Sequence, residues 1–289
     1  MLELSGLSEM RAWSRAQRTH GGRVGFVPTM GSLHEGHLRL VDRAKALADR
    51  LVLSVFVNPL QFGPQEDFAT YPRDLPRDRA LARERGVDCL FTPEVRAMYP
   101  TEPAIRVVPQ EMAGVLEGAI RPGHFAGVLT VVAKLFHIVE PDVAVFGRKD
   151  FQQATLIRRM VADLDVPVEI EVAPTTRELD GLALSSRNTY LSADERRSAL
   201  ALSRALRGIE QAWRGGEADA AQLQRRGMEL LGAPGVTPEY LVLVNELLQP
   251  VERASAKTIV VVAARVGATR LIDNVVLGEG LGADPTVRA

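Results

Sequence analysis

The chain has little from which to build a disulfide scaffold, a nucleic-acid platform or a membrane span. Its single cysteine, Cys89, excludes an internal disulfide framework and points to a reducing, cytoplasmic compartment. Aromatic residues make up only 5%, too few for a surface that stacks single-stranded bases. Lysine and arginine nearly balance the acids at a net charge of −1, so no basic field recruits nucleic acid. No apolar run approaches the roughly 18–20 residues that a membrane helix needs. The opening Met1-Leu2-Glu3-Leu4 lacks the charged and apolar blocks of a signal peptide. Internal repeats are absent, and low complexity is confined to a tail from Gly278, where Gly280, Gly282 and Pro285 predict fraying. What is present is ordinary globular composition, 46% hydrophobic and 25% charged over 289 residues. That length suggests roughly two domains.

Apolar patterning predicts α/β structure over residues 1–174. Strand-like runs at Val24–Val27, Leu51–Val57, Val87–Phe91, Ile105–Val108, Val143–Phe146 and Val168–Val172 alternate with helical segments. The helical segments are His34–Asp49, Asp74–Arg85, Val128–Val139 and Phe151–Ala162. The run Leu51–Val57 is apolar but for Ser54, as in a parallel sheet covered on both faces. This order predicts a Rossmann-like, doubly wound parallel sheet, with ligands beyond the carboxyl ends of its strands. The character changes over residues 175–289. A polar loop leads to Ser192-Ala193-Asp194-Glu195, a capping-box pattern. Two helices split by Gly215-Gly216 follow, and then strands at Tyr240–Val244, Thr258–Ala264 and Thr269–Ile272. Helices followed by strands predict a smaller α+β domain.

The stretch Pro28-Thr29-Met30-Gly31-Ser32-Leu33-His34-Glu35-Gly36-His37 reads as strand, glycine turn and first turn of a helix. His34 and His37, three apart, share one helical face. The helix start adds unpaired N–H groups and the positive dipole end. Gly36 leaves room for a phosphate to approach closely. Such a site can stabilise charge on a phosphoryl group. Two exposed histidines on an ordinary helix, or half of a zinc site, are the alternatives. The pair alone lacks the further ligands that zinc requires.

Three other stretches carry chemistry. Asn58-Pro59-Leu60-Gln61-Phe62-Gly63 follows an apolar strand, and Gln61 offers both a donor and acceptors; a plain Asn-Pro turn is the alternative. Gly147-Arg148-Lys149-Asp150 also follows a strand. Lys149 suits a phosphate, Asp150 a ribose hydroxyl or a helix cap, and Gln153 can face the same cleft. Ser185-Ser186-Arg187 lies in a polar loop that could clamp phosphate and close over a nucleotide, or could simply link domains. Arg121-Pro122-Gly123-His124 lines a pocket or forms an exposed loop. Asp74 and Asp78 read as a solvated helix face, and Cys89 as a small buried hydrophobe.

Taken together, VPTMGSLHEGH, SVFVNPLQFGPQEDFATYPR, LEGAIRPGHFAGV, PDVAVFGRKDFQQ, DGLALSSRNTYL and ARVGATRLIDN span nearly the whole chain. In this order they resemble the pantothenate synthetase (pantoate–β-alanine ligase) family, within the HxGH nucleotidylyltransferases. The resemblance implies that ATP and (R)-pantoate form a bound pantoyl adenylate. β-Alanine then attacks it to give pantothenate and AMP. No protein nucleophile is implied, so catalysis rests on positioning and charge stabilisation.

The same resemblance assigns roles. Met30, Gly31, Ser32, Leu33, His34, Glu35, Gly36 and His37 would form the nucleotide turn. His37 is the leading candidate for proton donor or transition-state stabiliser, with His34 and Lys149 beside it in catalysis. Gly147, Arg148, Lys149 and Asp150 would hold phosphate and ribose, and Arg148, where the family more often has Glu or Gln, would point outward. Thr176, Leu184, Ser185, Ser186 and Arg187 would complete the ATP site as the second domain closes over it. Gln61 and Gln153 would bind pantoate and β-alanine, with Asn58, Arg121 and His124 in a secondary pocket. Mg²⁺ would ride on ATP phosphates and water, with Asp78 at most a weak protein candidate beside Arg77. A homodimer is implied, without nucleic acid or membrane. Other readings are a nucleotidyl transferase that stops at an adenylate, a tRNA synthetase fragment disfavoured by the neutral charge, or a nucleotide sensor without catalysis.

Overall fold

The computed structural model describes residues 1–64 and 66–281. The chain divides into two compact units: Met1–Gly147 with Gln153–Ala173, and Arg148–Gln152 with Pro174–Ala289. Of the tail expected to fray, Gly282 and Pro285 lie outside the described residues.

The first unit is built on six parallel strands: β1 (Leu2–Leu4), β2 (Val24–Thr29), β3 (Arg50–Val55), β4 (Cys89–Phe91), β5 (Val143–Gly147) and β6 (Glu169–Ala173). Their order across the sheet is β1-β4-β3-β2-β5-β6. Chain order reverses between β2 and β5, which pair through Gly25–Val143 and Phe26–Ala144. A parallel sheet offers its ligand crevice at such a switch, beyond the strands' carboxyl ends. Helices α1 (Leu7–Thr19), α2 (Glu35–Lys45), α3 (Leu75–Glu84), α4 (Val95–Met98), α5 (Glu117–Ile120), α6 (His124–Val139) and α7 (Phe151–Asp163) connect the strands.

Strand alternation sorts the core into two layers. Val24, Phe26, Val52, Cys89, Phe91, Ala144 and Phe146 pack with residues of α1, α6 and α7. Val27, Leu51, Leu53, Leu90 and Val145 pack with residues of α2 and α3. Phe26 meets Phe136 edge-on at 6.5 Å between ring centroids. Each fully buried side chain of this size is worth about 1.5–3 kcal/mol, so the apolar strand runs anchor the sheet. Cys89 is fully buried among them.

The expected strand Ile105–Val108 does not form; Ile105 is 88% exposed. The open edge of β4 is taken instead by β1, whose Leu2, Glu3 and Leu4 pair with Cys89, Leu90 and Phe91. The loop is tied to the core at Val107, whose side chain packs on it and whose N–H donates to Thr130 Oγ1 at 3.0 Å.

In the second unit, α8 (Ala193–Arg214) and α9 (Ala220–Leu231) precede antiparallel β7 (Val236–Val244), β8 (Ile259–Val266) and β9 (Thr269–Val276). Ser192 and Glu195 form the predicted capping box: Ser192 Oγ accepts the Glu195 N–H at 3.3 Å, and Glu195 Oε2 accepts the Ser192 N–H at 2.8 Å. Leu202, Leu206, Ile209 and Leu223 pack on Leu241, Val260 and Val262 to make a separate core.

Candidate functional site

The turn after β2 is fixed from both sides. Thr29 Oγ1 donates to Ser54 O at 2.7 Å and accepts the Gly31 N–H at 3.1 Å. Gly31 and Ser32 then take left-handed φ values of +82° and +51°. A Cβ on Gly31 would sit 2.8 Å from both Asp78 Oδ2 and Val55 Cγ1, so only glycine fits there. Asp78 is the clamp: Oδ2 accepts the Ser32 N–H at 2.8 Å and Oδ1 the Leu33 N–H at 2.6 Å. Leu33 is fully buried and anchors the turn.

This corrects the expectation for Asp78. It is 1% exposed rather than part of a solvated face, because its carboxylate replaces water for two otherwise unpaired backbone donors. Burial pushes its pKa up, and the two N–H bonds offset part of that rise. Asp74, by contrast, caps α3 by accepting the Arg77 N–H at 3.1 Å.

The histidine pair stands where the turn enters α2. His34 is the N-cap residue, and its N–H donates to His37 Nδ1 at 3.4 Å. A backbone N–H can only donate, so the neutral His37 ring carries its proton on Nε2. The two half-buried rings stack at 4.1 Å between centroids. Glu35 would oppose an anion here, but Arg85 at 2.5 Å and Arg39 at 3.2 Å balance its charge. The result is a helix start with balanced side-chain charge, imidazoles and first-turn N–H groups, a setting that favours phosphate.

Gln61 belongs to the same unit, on the helical turn Pro59–Gln61. Its Oε1 accepts from Asn58 Nδ2 at 3.1 Å, and its Nε2 donates to Met30 Sδ at 3.1 Å. Gln61 thus adjoins the histidine turn. Asn58 also donates to Gly127 O at 3.1 Å and accepts from Tyr99 Oη at 2.9 Å. A Cβ on Gly127 would overlap the Leu60 carbonyl, so glycine lets α6 rest directly on this turn.

Behind Gln61 runs a chain of polar contacts. His124 Nδ1 donates to Gln61 O at 2.8 Å, and Nε2 accepts from Arg121 Nη1 at 3.0 Å. Arg121 in turn grips both oxygens of Glu66, at 2.7 and 2.6 Å. Burial, then the Arg121 charge, lowers the His124 pKa to about 4, so this ring is neutral at physiological pH. Glu66 is pushed up by burial, but its bonds to Arg121 outweigh this and leave it below the usual range. Asn58, Arg121 and His124, expected in a secondary pocket, spend these polar groups on supporting Gln61. Glu66 and Tyr99 escaped the sequence reading; an acid and an aromatic distant along the chain carry no local signal of this pairing. Gln153 is half-buried on α7.

Gly147 ends β5 in the first unit, and the second unit holds the remaining phosphate candidates. Lys149 and Asp150 lie on the single turn Arg148–Asp150, with Lys149 Nζ 3.8 Å from Asp150 Oδ1. Arg148, expected to point outward, pairs with Glu279. Thr176 and Leu184 close a hairpin, the Leu184 N–H donating to Thr176 O at 3.0 Å. Beyond it Ser185 caps the turn Ser186–Tyr190, its Oγ accepting the Arg187 N–H at 3.3 Å. Ser185, Ser186 and Arg187 are half-buried.

Comparison with known proteins fits this geometry. A family model described as pantoate-beta-alanine ligase matches residues 4–276. The chain is 52% identical over 276 residues to a pantothenate synthetase of Heliobacterium modesticaldum, covering 95% of this chain and 98% of that protein. The crystal structure of pantothenate synthetase from Thermus thermophilus matches with a TM-score of 0.91 at 49% identity, over 96% of this chain and 99% of that one. A Francisella tularensis pantoate-beta-alanine ligase, complexed with beta-gamma ATP and beta-alanine, matches at 0.81 and 33% identity, over 98% and 100%. The chain belongs to the pantoate–β-alanine ligase family.

Proposed function

We propose that this chain condenses (R)-pantoate with β-alanine at the expense of ATP, yielding pantothenate, AMP and pyrophosphate. A pantoate carboxylate oxygen attacks the α-phosphorus and pyrophosphate leaves. The β-alanine amine then attacks the acyl carbon of the adenylate and AMP leaves. The observation that carries this reading is the clamped turn ending in His34 and His37, with Gln61 bonded to Met30 at its edge. A helix start suited to phosphate, beside an uncharged amide suited to a small hydroxy acid, supports this reading.

His37 Nε2–H stabilises the charge that builds on the phosphates in the first step. His34 holds the His37 ring, and the Met30–His37 turn receives the nucleotide. Lys149, Asp150, Ser185, Ser186 and Arg187, with Gly147, Arg148, Thr176 and Leu184, contribute to ATP binding. Gln61 and Gln153 hold pantoate and β-alanine. Among the described residues, no group of three or more His, Cys, Asp or Glu side chains could hold a metal ion. Both oxygens of Asp78 are occupied by backbone donors. Mg²⁺ held by the triphosphate and water would offset charge on the pyrophosphate.

No helix among the described residues is long and apolar enough to cross a membrane. The buried lone Cys89 suits a cytoplasmic setting, and the family resemblance favours a homodimer. The test is AMP release by the purified protein. It should require both pantoate and β-alanine; pyrophosphate exchange without amide formation would favour a nucleotidyl transferase instead.

A further inference from the structure

The stretch Ala264-Arg265-Val266-Gly267-Ala268-Thr269-Arg270-Leu271-Ile272-Asp273-Asn274 has no role in the proposed reaction. Its last two residues sit on β9, and both are buried, at 4% and 3% exposure. Adjacent strand residues point to opposite faces, so a buried polar pair here addresses two different neighbours.

Asp273 faces Arg177, which opens the hairpin leading to Ser185-Ser186-Arg187. Arg177 Nη1 and Nη2 donate to the two Asp273 oxygens at 2.6 and 2.8 Å. The rest of the guanidinium donates to Gly181 O, Asn274 O and Leu281 O. Every nitrogen of the fork is engaged, which is how a buried arginine becomes tolerable. Asn274 faces the other loop. Its Nδ2 donates to Arg148 O at 2.9 Å and to Lys149 O at 3.0 Å. Its own N–H is held by Asp273 Oδ1 at 2.7 Å, which locks the two residues together. Asn274 Oδ1 is buried and makes no hydrogen bond. A side chain needed only for packing would not retain an unpaired polar atom, since that atom costs free energy.

We propose that Asp273 and Asn274 are positioning residues that set Lys149 and the Ser185–Arg187 loop in register for the triphosphate. Asn274 holds the backbone on which Lys149 is carried. Asp273, through Arg177, holds the base of the serine–arginine loop. Neither side chain touches the nucleotide. This inference rests on the assignment of Lys149 and Ser185–Arg187 to ATP.

The experiment is a double-mutant cycle on the full-length enzyme, reading pyrophosphate release from ATP and pantoate in a single turnover. Wild-type protein must first release pyrophosphate in a pantoate-dependent way; if it does not, the ligase reading itself fails. Given that activity, Asn274→Ala should slow adenylate formation by about tenfold or more, the scale of a displaced charge-stabilising donor. The KM for pantoate should stay within about twofold, because Gln61 is untouched. In a Lys149→Ala background the same substitution should cost less than about twofold, because Asn274 acts through Lys149. Equal losses in both backgrounds, or no loss in the wild-type background, overturn the proposal. Asn274→Asp fills the same space without the N–H donors, so it keeps the test open if the alanine variant does not fold. It should lose at least as much rate as alanine, whereas near-normal rates would also overturn the proposal.

Discussion

Lowering the pH should unfold this protein partly through His124. The ring is held neutral by its surroundings: Nδ1–H binds Gln61 O, and Nε2 faces the Arg121 guanidinium at 3.0 Å. Protonation would remove the acceptor for Arg121 and set two cations together in a buried place. The folded pKa is about 4 against an ordinary 6.5, so the unfolded chain takes up this proton first as pH falls. Stability from this site is complete above about 6.5 and is lost as the pH drops towards 4. At about 1.4 kcal/mol per pKa unit, the full loss is about 3 kcal/mol, with a slope of up to about 1.4 kcal/mol per pH unit. Urea unfolding at several pH values between about 7 and 4.5 measures that slope. His124→Gln can keep both contacts, donating to Gln61 O and accepting from Arg121, without titrating. Its curve should be flatter than wild type by roughly 1 kcal/mol per pH unit across the window. Identical slopes in the two proteins would show that His124 does not carry this pH dependence.

Three further substitutions test the parts around it. His37→Ala should reduce single-turnover adenylate formation by about 10²–10³ while the fold persists, and near-normal turnover would remove His37 from the chemistry. Asp78→Asn deprives the Ser32 or Leu33 N–H of its acceptor, so stability should fall by about 1–3 kcal/mol. Adenylation should fall with it, and urea curves that overlay wild type would argue against the clamp. Gly127→Ala drives a methyl group into the Leu60 carbonyl and to 2.7 Å from Gln61 Cα. It should raise the KM for pantoate and cost roughly 1–3 kcal/mol; unchanged values of both would show that α6 does not support Gln61.

The parallel sheet was legible because its strands announce themselves as apolar runs ended by ligand-type turns. Leu51–Leu53 and Ala144–Phe146 alternate between the two core layers, and apolar runs this short fit strands rather than helices. β1 and α1 were missed for an equally physical reason. Leu2–Leu4 has only three residues, and its place depends on the distant β4 edge. α1 follows Gly6, an N-cap with no side chain to mark the helix start. Ile105–Val108 has strand composition, but the β4 edge is already paired with β1. At the site, the short-range motifs were readable: the two histidines, Lys149-Asp150 and the double serine. The supports were not, because they act across the fold. Asp78 reaches back more than forty residues to Ser32 and Leu33. Glu66 meets Arg121 fifty-five residues away. Asp273 meets Arg177 across ninety-six. An acid on a nominally exposed helix, or an Asp-Asn pair in an apolar strand, is the clue such supports leave.

In the proposed reaction a pantoate carboxylate oxygen attacks the α-phosphorus of ATP. Pantoate labelled with ¹⁸O in its carboxylate tests this directly, with β-alanine and ATP present and the AMP measured by mass spectrometry. Each AMP formed should carry one labelled oxygen. Unlabelled AMP, or label in inorganic phosphate beside ADP, would contradict it.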